Sequence, residues 1–478
     1  MADPIRTSLE ELHALVDLIK TSVDSIEKTF VASNQPFPSL NGPSEPQSEA
    51  IRMSPVVQQA SSVLVAAATQ LIATVRPPPT TATTYALQFH VPACLRVAVE
   101  NHVAEILREA GPQGLHVRDI AAPTKVNSEK LGRILRTLAT HHVFREVTPD
   151  VFANNAISLT LDTGKSVSAI LADPEAKYDN TSGIAAVVGH SADECMKSAG
   201  YLQEVLSDPS WGSSGDPAKA PFAKAFKVDV PLWEWFERPE NSLRLRRFGA
   251  AMTMFAHSTY SEAIKEGFDW TELPKGSVVV DVGGGVGSQT MILAKTYDHL
   301  KFIVQDRDSV ITGSAPGYWK ENLPAAITSG RVTLQPHDFF SPQPVQAPAV
   351  FIMRCILHDW ADDYAVKILR HLRNAAGANT KLIIVDSIVT NACPIPEKSS
   401  RIPGLKRDPF PEPLLSNRGM ANAMAVLSDM QMLSAINATE RTVDQFDKLF
   451  EQGGWNLARV NLADGTVFQG AKLVAVPT

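Results

Sequence analysis

The 478-residue sequence has few of the groups that characterise disulfide scaffolds or nucleic-acid-binding proteins. Its four cysteines show no C-x-x-C spacing, which excludes a disulfide framework or structural zinc site and favours a reducing compartment. Lys and Arg total 44 against 51 Asp and Glu. Because phosphate binding needs a basic field, the net charge of −7 argues against nucleic acid as the main partner. A hydrophobic fraction of 44% excludes wholesale disorder. The length of 478 residues suits two or three domains.

Targeting segments are also lacking by pattern. The opening Met1-Ala2-Asp3-Pro4 has neither a basic region nor an apolar run, so we expect no signal peptide. The most apolar stretch, Val56–Val75, is interrupted by Gln, Ser and Thr, and we predict that it is too polar to span a bilayer. We therefore expect a soluble, cytoplasmic protein without a membrane partner.

The first 80 residues form a predicted helical extension with Pro-rich linkers. Apolar residues recur at helical spacing over 7–30, and a second helix is predicted over 55–75. Between them, residues 33–50 read as a loop, and Pro77–Pro79 should end the second helix and act as a stiff spacer.

Residues 81–165 show the order of a winged helix: helix, short strand, helices, hairpin. Such domains often bind DNA, but the candidate recognition helix offers only Lys130, Arg133 and Arg136. A packing or dimerisation role is therefore favoured, and a homodimer is expected.

Residues 166–270 are predicted to be a helical connecting and substrate-pocket region, in which Trp233, Trp235 and Phe236 read mainly as core. From 271 to 478, strands alternate with helices, which predicts an α/β Rossmann-like core with a mostly parallel seven-stranded sheet. Strands are expected over 278–282, 301–305, 332–335, 349–353, 382–386, 457–463 and 471–476. A Pro-rich insertion at 391–416 should be a surface loop or a flap near the site.

A glycine-rich loop, Gly283-Gly284-Gly285-Val286-Gly287, follows the first of these strands and opens a helix. Asp306 lies 19 residues beyond Gly287, where a carboxylate can accept both hydroxyls of a ribose. The dinucleotide fingerprint G-x-G-x-x-G fails in both registers, at Ser288 and at Thr290, and no P-loop lysine follows. The loop thus indicates a ligand that contains adenosine but is not a dinucleotide.

Further charged residues follow the next strands. Asp338 follows the third strand, and Arg354 and His358 follow the fourth. Ligands of open α/β sheets bind at the carboxyl ends of the strands, so we expect these side chains to share one site.

The D-x-G-x-G-x-G loop, the stretch Leu357-His358-Asp359-Trp360 with its following Asp pair, and Glu440-Arg441-Thr442 carry a clear resemblance. Over about 90–478 the chain resembles the small-molecule O-methyltransferases of the plant caffeic-acid type that use S-adenosylmethionine, and especially their fungal secondary-metabolite relatives. The resemblance implies a phenolic or enolic natural-product intermediate as substrate.

The resemblance also implies residue roles. His358 would be the general base, with Asp386 and Glu440 as acidic partners; Asp386 stands where plant members carry Glu, and Arg354 where they often carry Lys. Cofactor contacts would come from Asp281, Gly283, Gly285, Gly287, Asp306, Asp338, Phe339, Arg354 and Ser258. Substrate contacts would come from Met254, His257, Asp359 and Asn437.

These residue types suit methyl transfer to an oxygen. A phenol has a pKa of about 10 and an unperturbed His about 6.5, so full deprotonation in advance is uphill by about 4–5 kcal/mol. Proton removal coupled to attack in a desolvated pocket makes the reaction feasible. Because Asp386 is one methylene shorter than Glu, His358 would rely on Glu440 alone or on a water. No cluster has convincing metal spacing, so no metal is expected.

Two alternatives stay open at this point. An enzyme on the same scaffold can keep the cofactor without transferring its methyl group and use its charge for dehydration or pericyclic steps. A winged-helix regulator with a ligand-sensing domain is disfavoured by the acidic charge and by the His–carboxylate set.

Overall fold

The computed structural model describes residues 4–42, 45–256, 261–394, 402–404, 410–462 and 470–478. They separate into two compact units, one within 1–204 and 221–256 and the other within 205–220 and 257–478. The predicted division into four segments at 80, 165 and 270 remains a prediction.

The first unit begins with a helical extension. Its helices are α1 (Pro4–Ala32), α2 (Pro46–Arg52), α3 (Pro55–Val75) and α4 (Pro78–Leu87). Ile26 and Phe30 of α1 pack against Val57 and Ala60 of α3. The predicted spacer at Pro77–Pro79 is wrong in part, since a helix starts at Pro78. Proline fits the first helical turn because that turn leaves its N–H groups unpaired anyway.

Helix α3 also differs from the sequence prediction. By length and composition alone it is apolar enough to cross a membrane, which is weak evidence for a single helix. The prediction that this stretch is too polar to span a bilayer is therefore wrong on those criteria. The intervening Ser, Thr and Gln side chains are outweighed by the Val, Ala, Leu and Ile residues around them.

The winged-helix prediction is confirmed. Strands β1 (Leu115–His116), β2 (Arg145–Thr148) and β3 (Val151–Ala153) pair in the order β1-β3-β2. The helices beside them are α5 (His90–Glu100), α6 (Val103–Ala110), α7 (Val117–Ala121) and α8 (Ser128–Thr140). On α8, Arg136 is paired with Glu146 and Asp150 at 2.9 Å, so its charge is compensated within the domain.

The middle of the chain is helical, as predicted. It contains α9 (Val167–Ala172), α10 (Ile184–His190), a π-helical turn (Ser191–Cys195), α11 (Met196–Ala199), α12 (Leu202–Leu206), α13 (Pro221–Phe226), α14 (Leu232–Phe236) and α15 (Ser242–Ala256). Arg247 of α15 is buried and pairs with Glu194 at 2.6 Å and Asp193 at 3.1 Å. These ion pairs join α15 to the π-helical turn.

The second unit is built on the predicted seven-stranded sheet. Its strands are β4 (Val278–Val282), β5 (Lys301–Asp306), β6 (Val332–Pro336), β7 (Val350–Arg354), β8 (Lys381–Asp386), β9 (Trp455–Asn461) and β10 (Ala471–Pro477). They run in the order β6-β5-β4-β7-β8-β10-β9. The first five are parallel, and β10 is antiparallel to both of its neighbours.

Helices cover this sheet, whose central strands are Val- and Ile-rich because both faces are buried. The helices of this unit are α16 (Ser288–Thr296), α17 (Asp308–Thr312), α18 (Ser314–Asn322), α19 (Pro324–Thr328), α20 (Asp362–Ala375), α21 (Ala423–Ile436) and α22 (Val443–Gly453). Thr442 and Gln445 form the predicted capping box of α22, and Gly454 ends it with φ 82°. Short 3₁₀ turns occur at Ser158–Leu161, Pro174–Ala176, Pro217–Lys219, Pro239–Asn241, Ser261–Lys265, Trp270–Glu272, Leu357–Asp359 and Gly419–Asn422.

Most of the 391–416 insertion lies outside the described residues. In its described part, Pro403 O accepts a 2.9 Å hydrogen bond from Val460 N of β9. This contact attaches the insertion to the edge strand of the sheet. Its predicted role as a flap near the site remains a prediction.

Candidate active site

The glycine loop leaves β4 at the carboxyl edge of the parallel strands. Asp281, the next-to-last residue of β4, is buried and accepts a 2.6 Å hydrogen bond from Thr290 Oγ1. Burial raises the pKa of Asp281 to about 6, with Asp306 adding to the rise and with Thr290 and Arg354 opposing it. The carboxyl group is thus held firmly beneath the loop.

Two glycines in the loop are required by geometry. Gly283 has φ 72°, and a Cβ there would lie 2.5 Å from Ile356 Cδ1. Gly285 has φ 59°, and a Cβ there would meet nothing within 4 Å. The loop therefore combines a strained, close-packed base with open space in front of Gly285, as a cradle for a ligand requires.

Asp306 lies at the end of β5 and faces this loop. Its Oδ2 accepts from Gly285 N at 2.8 Å, and its Oδ1 accepts from Arg307 N at 2.8 Å. Each carboxylate oxygen can accept a further hydrogen bond, so Asp306 can also receive the two hydroxyls of a ribose beside Gly285. The donor and acceptor set fits the nucleoside part of S-adenosylmethionine.

The remaining predicted cofactor residues follow β6 and β7. Asp338 accepts from Phe340 N at 3.0 Å, which closes a tight turn and presents the Phe339 ring. Phe339 Cε1 would lie 3.7 Å from a Cβ at Gly283, so the ring borders the loop. Arg354 ends β7, close enough to Asp281 to lower the pKa of that carboxyl.

His358 lies in the 3₁₀ turn after β7 and is only 8% exposed. Its Nδ1 is 3.0 Å from Glu440 Oε1, which also accepts a 2.9 Å hydrogen bond from Ser428 Oγ on α21. In the neutral imidazole this carboxylate favours the proton on Nδ1, and the lone pair then lies on Nε2. Asp359 Oδ1 lies 3.5 Å from Nε2.

The charges around His358 favour its protonated form. Burial lowers the pKa of His358, but Asp359, followed by Glu440 and Asp386, outweighs it and holds the pKa well above the usual range. Burial in turn raises the pKa of Asp359 to about 6, against the effect of His358. The imidazole of His358 therefore accepts a proton more readily than a solvent-exposed histidine does.

Asp386 ends β8 beside this pair but makes no hydrogen bond to His358. Among the described residues neither of its carboxylate oxygens has a hydrogen-bond partner, and the residue is 1% exposed. Burial raises its pKa to about 7, with His358 opposing the rise. Of the two predicted acidic partners, the structure brings Glu440 alone into hydrogen-bond contact with the imidazole.

Arg441 is a buried residue beside the site that the sequence prediction quoted without giving it a role. It is 1% exposed, and its guanidinium donates to the carbonyl oxygens of Leu357 and Trp360, both at 2.7 Å. It also donates to Asp362 Oδ1 at 2.8 and 2.9 Å. Arg441 thus attaches the turn that carries His358 to the segment that carries Glu440.

The predicted substrate contacts come from separate elements of the chain. Asn437 ends α21, and its side-chain amide donates to the carbonyl oxygens of Ser214 at 2.5 Å and Asp216 at 3.0 Å. Met254 lies on α15 of the first unit. His257 and Ser258 lie outside the described residues. The substrate contacts predicted for Met254, His257, Asp359 and Asn437 remain predictions, as do the catalytic roles and the cofactor roles, that of Ser258 included.

Comparison with known proteins gives the chain its family. Residues 211–402 match the O-methyltransferase domain, and residues 83–163 match the O-methyltransferase dimerisation domain. An O-methyltransferase of Armillaria gallica is 45% identical over 98% of this chain and 99% of its own length. The 4-O-methyltransferase 1 of Phanerochaete chrysosporium is 41% identical over 94% of this chain and 95% of its own length.

A solved structure described as a pericyclic reaction enzyme superimposes with a TM-score of 0.64 at 20% identity, over 88% of this chain and 95% of that one. At this identity the likeness shows the fold alone. Fold and site together define an S-adenosylmethionine-dependent methyltransferase. The chain belongs to the O-methyltransferase family, and S-adenosylmethionine is its cofactor.

Proposed function

We propose that this enzyme methylates a hydroxyl group of a phenolic or enolic small molecule in natural-product biosynthesis, with His358 as the general base. The observation that carries the proposal is the 3.0 Å contact between His358 Nδ1 and Glu440 Oε1 at the carboxyl edge of the sheet. This contact leaves Nε2 available to receive a proton from the acceptor hydroxyl.

The chain's own residues supply binding, orientation and proton acceptance. Asp306 and the loop at Gly283–Gly287 hold the nucleoside, and the Phe339 ring borders the loop. When bound, S-adenosylmethionine supplies a methyl group activated by a positively charged sulfur. Fixing donor and acceptor in line contributes a large part of the acceleration.

The raised pKa of His358 matters for the proton step. Each unit by which it rises brings the base closer to a phenol of pKa about 10 and removes about 1.36 kcal/mol from the uphill transfer. Glu440 stabilises the imidazolium that forms, as carboxylates do in other His–carboxylate pairs. The same rise requires a higher pH to free the base, so activity should increase with pH through the titration of His358.

The match to a dimerisation domain over 83–163 supports a homodimer, and the four unpaired cysteines suit the cytoplasm. A small hydroxylated molecule is the expected partner, without nucleic acid or a membrane.

The proposal is tested by transfer of label from methyl-labelled S-adenosylmethionine to a panel of phenols. Wild type is compared with His358→Ala, and with His141→Ala as a control for an exposed histidine of the winged helix. We expect transfer to collapse in the first variant with cofactor binding intact, and to persist in the second. Tight cofactor binding without transfer to any acceptor would favour the non-methylating alternative.

A further inference from the structure

Three side chains with metal-binding atoms meet beside the proposed base. One donor atom each of Cys355, His358 and Asp386 lies within 4.8 Å of the other two. Strand pairing brings them together, because β7 and β8 are parallel neighbours in which Arg354 lies opposite Val385. The next residues along these strands, Cys355 and Asp386, therefore also lie side by side.

The carboxylate of Asp386 lacks hydrogen-bond partners in this group. Its carboxylate is buried, and neither oxygen has a hydrogen-bond partner among the described residues. A buried carboxylate needs a proton or a cation to compensate its charge. In the proposed methyl transfer Asp386 neither binds a ligand nor accepts a proton, and its charge only adds to those that favour the protonated form of His358.

His358 is oriented as metal-binding histidines are. Its Nδ1 is engaged by Glu440, which is itself held by Ser428, and in the neutral ring with a proton on Nδ1 the lone pair lies on Nε2. Histidines that bind metals commonly hydrogen-bond a carboxylate through the other ring nitrogen, which fixes the ring and raises its basicity. Cys355 has φ 53°, a backbone strain that is concentrated at functional positions.

We propose that Cys355, His358 and Asp386 form a binding site for a thiophilic divalent cation of the Zn²⁺ type, and that occupation of the site switches methyl transfer off. A thiolate and a carboxylate neutralise the two charges of the ion, and the imidazole binds through Nε2. As the ion binds, the proton of the Cys355 thiol and the proton that the imidazolium form of His358 carries on Nε2 both leave to the solvent. Since Nε2 is then taken, no lone pair remains to accept the proton of a substrate.

The donor set selects the ion. Sulfur, imidazole and one carboxylate suit tetrahedral Zn²⁺ with an open fourth position, whereas Mg²⁺ requires an octahedral shell of oxygens. Tetrahedral bonds of about 2.0–2.3 Å place donors about 3.3–3.8 Å apart. The three side chains therefore close around an ion by moving about 1 Å.

Direct metal binding to the full-length, metal-free enzyme tests the proposal without a substrate. Co²⁺ is titrated as the spectroscopic probe, and Zn²⁺ is titrated in competition with a chromophoric chelator. We expect one bound ion with a thiolate-to-cobalt charge-transfer band. Cys355→Ser should abolish the band and, like Asp386→Asn, weaken Zn²⁺ binding by more than about tenfold, the lower end of what even a lost second-shell partner costs. Cys393→Ser is the matched control, because this cysteine is exposed, and it should bind as wild type does.

An unchanged affinity and band in Cys355→Ser, or equally tight binding of Mg²⁺, would overturn the proposal. Inhibition alone rests on the proposed function: Zn²⁺ should suppress label transfer in wild type, and a chelator should restore it. If no acceptor is methylated under any condition, the proposed function fails while the titration still decides whether the metal site exists. If Zn²⁺ binds but transfer persists, the switch is refuted.

Discussion

Replacing Arg441 with alanine tests whether one buried cation positions the proposed base. Four hydrogen bonds of 2.7–2.9 Å run from its guanidinium to Leu357 O, Trp360 O and Asp362 Oδ1. The alanine variant loses all of these donors and gains a cavity of guanidinium size. The turn that carries His358 then loses these attachments to the Glu440 segment and keeps the direct contact between His358 and Glu440.

The magnitude follows from the acceptors left behind. Two carbonyl oxygens lose their donor, at about 1–3 kcal/mol each, which lowers the free energy of unfolding by about 2–6 kcal/mol. The Asp362 side chain is 66% exposed and stays hydrated, so its loss of a partner adds little. In the folded variant, a displacement of His358 by 1 Å is expected to lower kcat about 100-fold.

Urea unfolding measures the first effect, and label transfer under saturating cofactor measures the second. Free guanidinium at non-denaturing concentration should enter the cavity and restore part of kcat while leaving KM for the cofactor unchanged. Arg370→Ala, an exposed arginine on α20, is the control and should behave as wild type. A folded Arg441→Ala enzyme with wild-type kcat, or a loss that guanidinium does not relieve, would refute the positioning role.

Three further predictions follow from the described contacts. Asp359 and then Glu440 raise the pKa of His358, and Glu440→Gln removes the second of these charges. The rising limb of the pH–rate profile should therefore move to lower pH while kcat falls; an unmoved limb would contradict the pairing. Gly283→Ala should weaken cofactor binding, measured by calorimetry, at least about tenfold, because the added Cβ meets Ile356. Gly330→Ala is the control for backbone strain alone, since Gly330 has φ 69° and open space around it. Equal effects of the two substitutions on cofactor binding would contradict a binding role for the loop at Gly283. Arg247→Met leaves buried carboxylates underpaired and should cost about 3–5 kcal/mol in urea unfolding. The adjacent Arg246→Met, whose partners are at the surface, should cost about 0–1 kcal/mol; similar losses would contradict the burial argument.

The sheet was predictable because parallel strands buried on both faces read as short apolar runs between helices. Every strand expected after 277 is present, and most differ from the prediction by one or two residues at an end. The loop after β4 and the position of Asp306 were equally readable, since glycines at fixed spacing leave few alternatives.

The contacts between distant segments could not be read in this way. Ser428 reaches Glu440, and Arg441 reaches Leu357, only because α21 and the strand ends pack together, and no periodicity reports such packing. The proximity of Cys355 to Asp386 could not be read either, because it is set by strand register, which the sequence alone leaves open. The helix that begins at Pro78 was missed because three consecutive prolines are typical of a stiff spacer. Only the structure shows that Pro78 occupies the first turn of a helix, where proline is tolerated.

The general-base role of His358 is tested most directly by varying the acidity of the acceptor. Label transfer is measured for wild type and His358→Ala with one phenol of pKa about 10 and with a close analogue that electron-withdrawing groups ionise fully at the assay pH. If His358 is the general base, His358→Ala should lower the rate of label transfer about 10²- to 10⁴-fold with the first acceptor. With the second acceptor the rate should fall less than about tenfold, because an ionised oxygen needs no base. Equal losses with both acceptors would contradict the account and assign His358 to positioning instead.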